Sequence, residues 1–310
     1  MKIMFMGTPE ISATCLKRLL DDGHNVTAVV TREDKPRGRG NVMTPTPTKL
    51  LALENNIPVY TPKTLRDEEF MKILLEHNPD LIAVVAYGKI LPKSVIDFPR
   101  LGCLNLHVSL LPKYRGAAPM QRAIMAGEKE TGVTVMYMDE GLDTGDIIEV
   151  ARFPINKTDN FETIHDRSAE IGSLLLSDVI KKMPSGDIKR VKQDDSLATY
   201  AQKVEKADCK LDFTLSAEKL DFIIRGVTPI PAAFAYLRGK MLKINRAEPI
   251  NASGNAGEVI AISGIGDGYI DVACAEGALR ITAVIPEGKG KMTSGDFVRG
   301  RKIQVGDILE

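Results

Sequence analysis

The first half of the chain alternates short apolar runs with amphipathic segments. Lys2–Met6, Val26–Val30 and Leu81–Val85 are apolar runs of strand length. Between the first two runs, apolar side chains recur at helical spacing, at Ile11, Cys15, Leu16, Leu19 and Leu20. Apolar strands that alternate with helices predict an α/β fold with a doubly wound, mostly parallel, Rossmann-like sheet covered by helices on both faces.

Three further patterns refine this half of the chain. Thr46-Pro47 has the hydroxyl cap and first-turn proline of a helix start. At Val133, Val135 and Tyr137 the apolar period becomes two, which predicts a strand with one wetter face. A long amphipathic helix from about residue 160 to 182 is then broken by Pro184-Ser185-Gly186-Asp187, which closes a first domain.

The last third of the chain has a different pattern of apolar residues and glycines. One helical stretch, from about residue 217 to 226, precedes short apolar segments interrupted by frequent glycines. Short strands between glycine-rich turns favour a small OB-like β-barrel. We therefore predict a catalytic domain at residues 1–183, a linker at 184–205 and a C-terminal barrel domain at 206–310.

Composition limits the class of protein. The 310 residues are 44% hydrophobic and 26% charged, as in a soluble globular protein with room for two domains. Neither a secretory leader nor a membrane span is expected from the apolar runs, so the predicted location is the cytoplasm. Four well-separated cysteines predict reduced, buried thiols and no zinc site. Because the formal net charge is zero, any contact with nucleic acid must come from local basic patches.

The segment Leu104–Ser109 has the densest combination of polar and apolar side chains. If it is a strand, Asn105 and His107 project from the same face. An Asn amide can donate a hydrogen bond to an oxyanion, and a His can move a proton. A structural histidine beside a polar sheet edge is the alternative interpretation of this segment taken by itself.

Two turn-rich loops add to that segment. Residues 109–119 follow the predicted strand, at the place where open α/β sheets bind their ligands. Residues 141–146 form a second loop, in which Asp143 and Asp146 could cap turns. Alternatively, one of these carboxylates could orient His107 and raise its basicity.

Together these motifs resemble the signature of the folate-dependent formyltransferases. The similarity rests on Asn105-x-His107, the run from His107 to Pro119 and Asp143-Thr144-Gly145-Asp146, in that order. It implies that Asn105, His107 and Asp143 are catalytic, with 10-formyltetrahydrofolate as the formyl donor and no metal. The folate-contacting positions that it implies are Ser109, Leu110, Leu111, Pro112, Ala86, Tyr87, Gly88, Leu142 and Thr144.

The resemblance extends over nearly the whole chain to the members of that family that formylate methionyl-tRNA for translation initiation. Its further motifs are Met6-Gly7-Thr8-Pro9-Glu10, Arg37–Gly40, Tyr200-Ala201, Arg225–Ala233 and Gly288–Met292. Residues 31–49 contain five basic residues against two acidic ones, which favours a phosphate-binding loop. The residues that we expect to bind tRNA are Lys35, Arg37, Arg39, Lys289 and Lys291.

Other functions remain open on the sequence. The same catalytic residues could formylate another amine, such as an amino-sugar nucleotide, or hydrolyse formylfolate. A non-enzymatic RNA-binding protein is a third alternative. A glycinamide ribonucleotide formyltransferase is expected to stop near residue 200. The chain departs from the family pattern at Ile230 and Phe213, where Trp is common, and at Ala232, where Gly is usual. A monomer is the default expectation.

Overall fold

The computed structural model describes residues 1–37, 40–186 and 188–310, with only the backbone of Arg37. The chain divides into two compact units. The N-unit comprises residues 1–116, 130–153 and 165–201, and the C-unit comprises residues 117–129, 154–164 and 202–310. Unlike the predicted domains, each unit is discontinuous in sequence; the boundaries 1–183, 184–205 and 206–310 stay a prediction.

Strands and helices alternate in the N-terminal half, whereas strands dominate the last third. The strands are β1 (Lys2–Gly7), β2 (Asn25–Val30), β3 (Lys35–Arg37), β4 (Val42–Thr44), β5 (Val59–Tyr60), β6 (Leu81–Val85), β7 (Cys103–His107), β8 (Arg115–Gly116), β9 (Glu130–Tyr137), β10 (Ile147–Pro154), β11 (Tyr200–Ala201), β12 (Ala233–Leu237), β13 (Lys240–Ile250), β14 (Val259–Ser263), β15 (Tyr269–Ala273), β16 (Ala278–Pro286) and β17 (Met292–Thr293). The α-helices are α1 (Glu10–Asp21), α2 (Pro47–Glu54), α3 (Glu68–His77), α4 (Lys93–Ile96), α5 (Pro119–Met125), α6 (Phe161–Lys182), α7 (Ala217–Val227) and α8 (Ser294–Arg299).

A seven-stranded sheet forms the centre of the N-unit. Its order is β10-β9-β7-β6-β1-β2-β5. The pairs β1–β2, β1–β6, β2–β5 and β6–β7 are parallel, whereas β7 and β9 are antiparallel. The predicted α/β fold with a mostly parallel sheet is therefore confirmed. Since neighbouring parallel strands end at the same edge, the loops after β1, β6 and β7 share that edge.

The expectation of a wetter face on β9 is wrong. Residues 131–136 are all buried, so both faces of the strand are covered. The reason is its position inside the sheet, between β7 and β10. Alternating apolar residues at Val133, Val135 and Tyr137 did not reveal this, because Thr131 and Thr134 are buried polar residues on a covered strand.

Local signals in the sequence explain several helix boundaries. The hydroxyl of Thr46 accepts a hydrogen bond from the amide of Lys49 at 3.1 Å, and Pro47 occupies the first turn, as predicted for the start of α2. Ser216 caps α7 in the same way through Lys219. Helix α6 ends at Lys182, and Pro184 lies in the short 3-10 turn that follows.

The C-unit is built around antiparallel strands. Its main sheet has the order β12-β13-β16-β15-β14, and β17 pairs with β16. The pairs β12–β13, β13–β16, β15–β16, β14–β15 and β16–β17 are antiparallel. Helix α7 packs its apolar face, including Leu220 and Ile224, into a core with Ile244, Ile270 and Ile281. The structure confirms a C-terminal domain of antiparallel strands, and closure into an OB-like barrel stays a prediction.

All four cysteines are free and buried, as predicted. Burial raises the pKa of the Cys15 thiol to about 12. Among residues 1–37, 40–186 and 188–310, no helix is long and apolar enough to cross a membrane. Within the same ranges, no three His, Cys, Asp or Glu side chains come together as metal ligands.

Candidate active site

Asn105 and His107 lie on β7, an interior strand of the N-unit sheet. They are two residues apart, so their side chains project from one face, while Leu104 and Leu106 are buried. Asn105 is half-buried and His107 is 6% exposed. In the described part of the chain, the Asn105 carboxamide makes no hydrogen bond. Its N–H groups are therefore available as donors to a bound group.

The His107 ring has contacts at both nitrogens. Nε2 lies 3.0 Å from the carbonyl oxygen of Tyr114. Because a carbonyl only accepts hydrogen bonds, Nε2 is assigned as the protonated nitrogen. Nδ1 lies 3.6 Å from Oδ2 of Asp143. A proton transferred from a substrate to Nδ1 would therefore lie next to this carboxylate.

Asp143 comes from the turn between β9 and β10. Its Oδ2 accepts a hydrogen bond of 2.8 Å from the Gly116 amide, and its side chain is 16% exposed. Its φ of 54° is in the left-handed region, which non-glycine residues seldom adopt. Of the two candidate carboxylates, Asp143 is the one that faces His107.

A different carboxylate stabilises this turn locally. Asp139 accepts hydrogen bonds from the Gly141 amide at 3.0 Å and from the Thr144 hydroxyl at 2.6 Å. Gly145 passes so close to the carbonyl oxygen of Tyr137 that a Cβ would overlap it. The turn-capping role considered for Asp143 or Asp146 thus belongs to Asp139, which the sequence analysis did not single out.

The loop after β7 is fixed by buried hydrogen bonds. The fully buried Ser109 donates its hydroxyl to the carbonyl of Lys113 at 2.7 Å, and its own carbonyl accepts from the Thr134 hydroxyl at 2.7 Å. Leu111 is buried and precedes Pro112 through a cis peptide bond. Leu110 is half-buried. These contacts give the predicted folate-binding loop a defined backbone.

The loop after β6 reaches the same edge of the sheet. Ala86 and Gly88 have positive φ values of 45° and 77°. The Thr8 hydroxyl donates to the carbonyl of Tyr87, and the Arg32 guanidinium donates to the carbonyl of Gly88. Tyr87 is 1% exposed, and burial raises the pKa of its hydroxyl to about 12. At the β9–β10 turn, Leu142 is 58% exposed, and Thr144 is tied to Asp139.

Arg115 and Gln193 also contact this region, although sequence reasoning gave neither a role. Gln193 Nε2 donates to the carbonyls of Asp143 and Gly145, both at 2.8 Å. Arg115 is 2% exposed and donates two hydrogen bonds to Gln193 Oε1. Gln193 lies in the segment predicted as a linker, where no periodic pattern marks it.

In the predicted basic loop, some basic side chains have partners within the protein and others are exposed. Lys49 binds Asp34 at 2.8 Å, and Arg32 binds the Gly88 carbonyl. Lys35 is exposed on β3, which pairs with β4 as a hairpin. Arg39 and the Arg37 side chain lie outside the described residues.

Basic side chains of the C-unit meet at one cavity. Lys291 and Arg246 are exposed and line a cavity of about 830 Å³. The same cavity is lined by Lys129, Lys157 and Arg225 and by five acidic residues, so its charges are balanced. Lys289, two residues before Lys291, is also exposed. Arg299 is paired with Asp296.

Two family models match the chain. Formyl transferase matches residues 1–180, and Formyl transferase, C-terminal domain, matches residues 203–302. The chain is 44% identical to a methionyl-tRNA formyltransferase of Geotalea uraniireducens (strain Rf4), with 100% of this chain and 98% of the relative covered. The chain belongs to the methionyl-tRNA formyltransferase family.

A second relative agrees with membership of this family, and a solved structure shares the fold. A methionyl-tRNA formyltransferase of Pseudomonas fluorescens (strain SBW25) is 45% identical, with 100% of this chain and 97% of the relative covered. The structure of HypX from Aquifex aeolicus in complex with tetrahydrofolic acid shares the fold. That match has a TM-score of 0.67 and 19% identity, and covers 99% of this chain and 50% of HypX.

Proposed function

We propose that this enzyme transfers the formyl group of 10-formyltetrahydrofolate to the amino group of initiator methionyl-tRNA, for translation initiation. The observation that carries the proposal is the convergence of Asn105, His107 and Asp143 in the N-unit of a formyl transferase family member. The two relatives described above bear the name of that reaction and match essentially the whole chain.

The chemistry requires an oxyanion donor and a path for one proton. The amine nitrogen bonds to the formyl carbon, which passes through a tetrahedral oxyanion before its bond to the folate nitrogen breaks. We assign oxyanion stabilisation to the Asn105 carboxamide, because its N–H groups have no other acceptor among the described residues. Removing one such donor typically lowers turnover by roughly 10²–10³-fold.

We assign proton movement to His107. The proton leaves the attacking amine and must reach the departing folate nitrogen. Nδ1 of His107 faces the Asp143 carboxylate at 3.6 Å, so a proton held there is stabilised electrostatically. Positioned acid–base groups of this kind contribute about 10²–10⁴-fold to rate.

Folate is assigned to the edge of the sheet shared by the loops after β6 and β7. The contacting positions are Ala86, Tyr87 and Gly88, Ser109 to Pro112, and Leu142 with Thr144. Supporting this, the hydrogen bonds of Ser109 and Tyr87 hold both loop backbones in place, while Leu142 exposes an apolar side chain. Fixed backbone beside an apolar side chain is the kind of surface that suits a flat heterocycle.

We assign the tRNA-binding role to Lys35, Arg37, Arg39, Lys289 and Lys291, as basic side chains that neutralise phosphates. Support comes from the exposure of Lys35, Lys289 and Lys291.

We also infer that the C-unit sheet closes as an OB-like barrel. Residues 307–310 bridge both edge strands, through Leu237 with Leu309 and through Val259 with Asp307.

An acceptor assay tests the function. The purified chain is supplied with 10-formyltetrahydrofolate and, separately, methionyl-tRNA, uncharged tRNA, glycinamide ribonucleotide or an amino-sugar nucleotide. Formylation of methionyl-tRNA alone is the expected result. Transfer only to a small amine would retain the catalytic assignment and reject the tRNA assignment. Release of formate without an acceptor would point to hydrolysis.

A further inference from the structure

Arg115 is a buried cation that the proposed chemistry does not use. It is 2% exposed and the largest fully buried side chain among the described residues. Its Nε and Nη2 donate to Gln193 Oε1 at 3.1 and 2.8 Å, and Nη2 also donates to Asp195 at 2.7 Å. Because a buried guanidinium needs fixed acceptors, Arg115 and Gln193 constrain each other.

The Arg115 contact sets the orientation of the Gln193 amide. Arginine only donates hydrogen bonds, so the Gln193 atom facing it must be the oxygen. The amide nitrogen consequently faces the carbonyls of Asp143 and Gly145, to which it donates two bonds of 2.8 Å. Each polar atom of this buried side chain therefore has a specific partner.

The two hydrogen bonds donated by the Gln193 amide hold the turn that contains Asp143. With a φ of 54°, Asp143 adopts a backbone conformation that is unfavourable for a non-glycine residue. Its carboxylate then bonds the amide of Gly116, the residue that follows Arg115. The contacts form a closed ring from Arg115 to Gln193, to the Asp143 backbone, and through the Asp143 side chain back to Gly116.

We propose that Gln193 is a positioning residue for the reaction, anchored by Arg115, which keeps the Asp143 carboxylate directed at His107. Gln193 touches no reacting group and acts through Asp143. This inference rests on the catalytic role proposed for Asp143. It adds a residue from the segment between the two family matches to the machinery of the N-unit.

The most direct test is Gln193→Glu, which keeps the side-chain length and the acceptor for Arg115 but removes both N–H donors. We expect kcat to fall about 10- to 100-fold, since a misplacement of about 1 Å costs that much. The KM for methionyl-tRNA should change less than about 3-fold, because Gln193 is not among the residues assigned to tRNA binding. Gln202→Glu, at an exposed glutamine, is the matched control and should behave as wild type.

A double variant separates positioning from general disruption. In the Asp143→Asn background, Gln193→Glu should lower kcat by less than about 2-fold, since both changes affect one unit. Losses that multiply, or a KM for methionyl-tRNA that rises as much as kcat falls, would overturn the proposal. Gln193→Asn, which shortens the amide side chain, replaces Gln193→Glu if that variant does not fold.

A readout independent of activity is hydrogen exchange at the Gly116 amide, which bonds Asp143. Gln193→Glu should accelerate that exchange at least about 10-fold, because the amide loses a fixed acceptor. Unchanged exchange together with unchanged kcat would overturn the proposal. If the wild-type chain formylates no acceptor, the proposed function fails, while exchange at Gly116 still decides whether Gln193 positions Asp143.

Discussion

The carboxylate of Asp143 lies 3.6 Å from Nδ1 of His107, although one residue ends a strand, the other follows a different strand, and the two are far apart in the sequence. His107 ends β7, and Asp143 lies in the turn after β9, which pairs with β7. The same carboxylate is tied to the Gly116 amide. The contact therefore depends both on strand pairing and on a hydrogen-bonded turn.

Replacing Asp143 by Asn should lower kcat about 10²–10⁴-fold, by removing the charge that faces His107. The fold should persist, because the amide oxygen can still accept from Gly116. Turnover with methionyl-tRNA and thermal unfolding are measured together. Asp146→Asn, three residues away in the same loop, is the control. Near-normal kcat in Asp143→Asn would remove Asp143 from the mechanism.

Replacing Asn105 by Ala should lower kcat roughly 10²–10³-fold, the usual cost of one oxyanion donor. The free energy of unfolding should change by less than about 1 kcal/mol, because no described protein group loses a partner. Asn251→Ala, at an exposed position, is the control. A loss of stability that matches the loss of turnover would instead assign Asn105 a structural role.

Neutralising Arg39 should raise the KM for methionyl-tRNA about 10-fold and leave the KM for folate near its wild-type value. If Arg39 contacts a phosphate, the slope of log(kcat/KM) against log salt should become shallower by about 1. Lys17→Ala, on α1 and paired with Asp21, provides the control for a change in charge alone. Equal increases in both KM values would indicate a disturbed site.

Replacing Tyr87 by Phe should stabilise the fold by about 1 kcal/mol, or leave its stability unchanged. The Tyr87 hydroxyl is buried and has no partner among the described residues. Removing it relieves an unsatisfied group without opening a large cavity. Chemical denaturation measures the stability, and the KM for folate reports any contact with substrate. Destabilisation by more than 1 kcal/mol would mean that the hydroxyl has a hydrogen-bonding partner.

The elements that could be predicted are those with strong local signals. Apolar runs located β6, Thr46-Pro47 located the start of α2, and helical spacing located α6 and α7. The pair Asn105 and His107 followed from the two-residue period of a strand. The order of motifs, rather than periodicity, brought Asp143 into the site.

The missed features depend on tertiary contacts. Gln193 interacts with Asp143 only through folding, and its neighbours Lys192 and Asp194 are ordinary surface residues. The burial of both faces of β9 depends on its neighbours in the sheet. Arg32 and Lys49 counted as free positive charges in the sequence, but each has a partner in the fold. Such hydrogen bonds and ion pairs produce no periodic pattern in the sequence.

In sequence, helix α5 lies between two segments of the N-unit, residues 1–116 and 130–153. It nevertheless belongs to the C-unit, where it packs against α7. Gly226 of α7 approaches α5 so closely that a Cβ would overlap Met125. The gap between the two family matches, at residues 1–180 and 203–302, includes the unit boundary at residues 201–202, but α5 belongs to the C-unit and lies inside the first match. Recombination that exchanges only the C-terminal half between relatives would pair a foreign α7 with the resident α5, so these two helices should be inherited together.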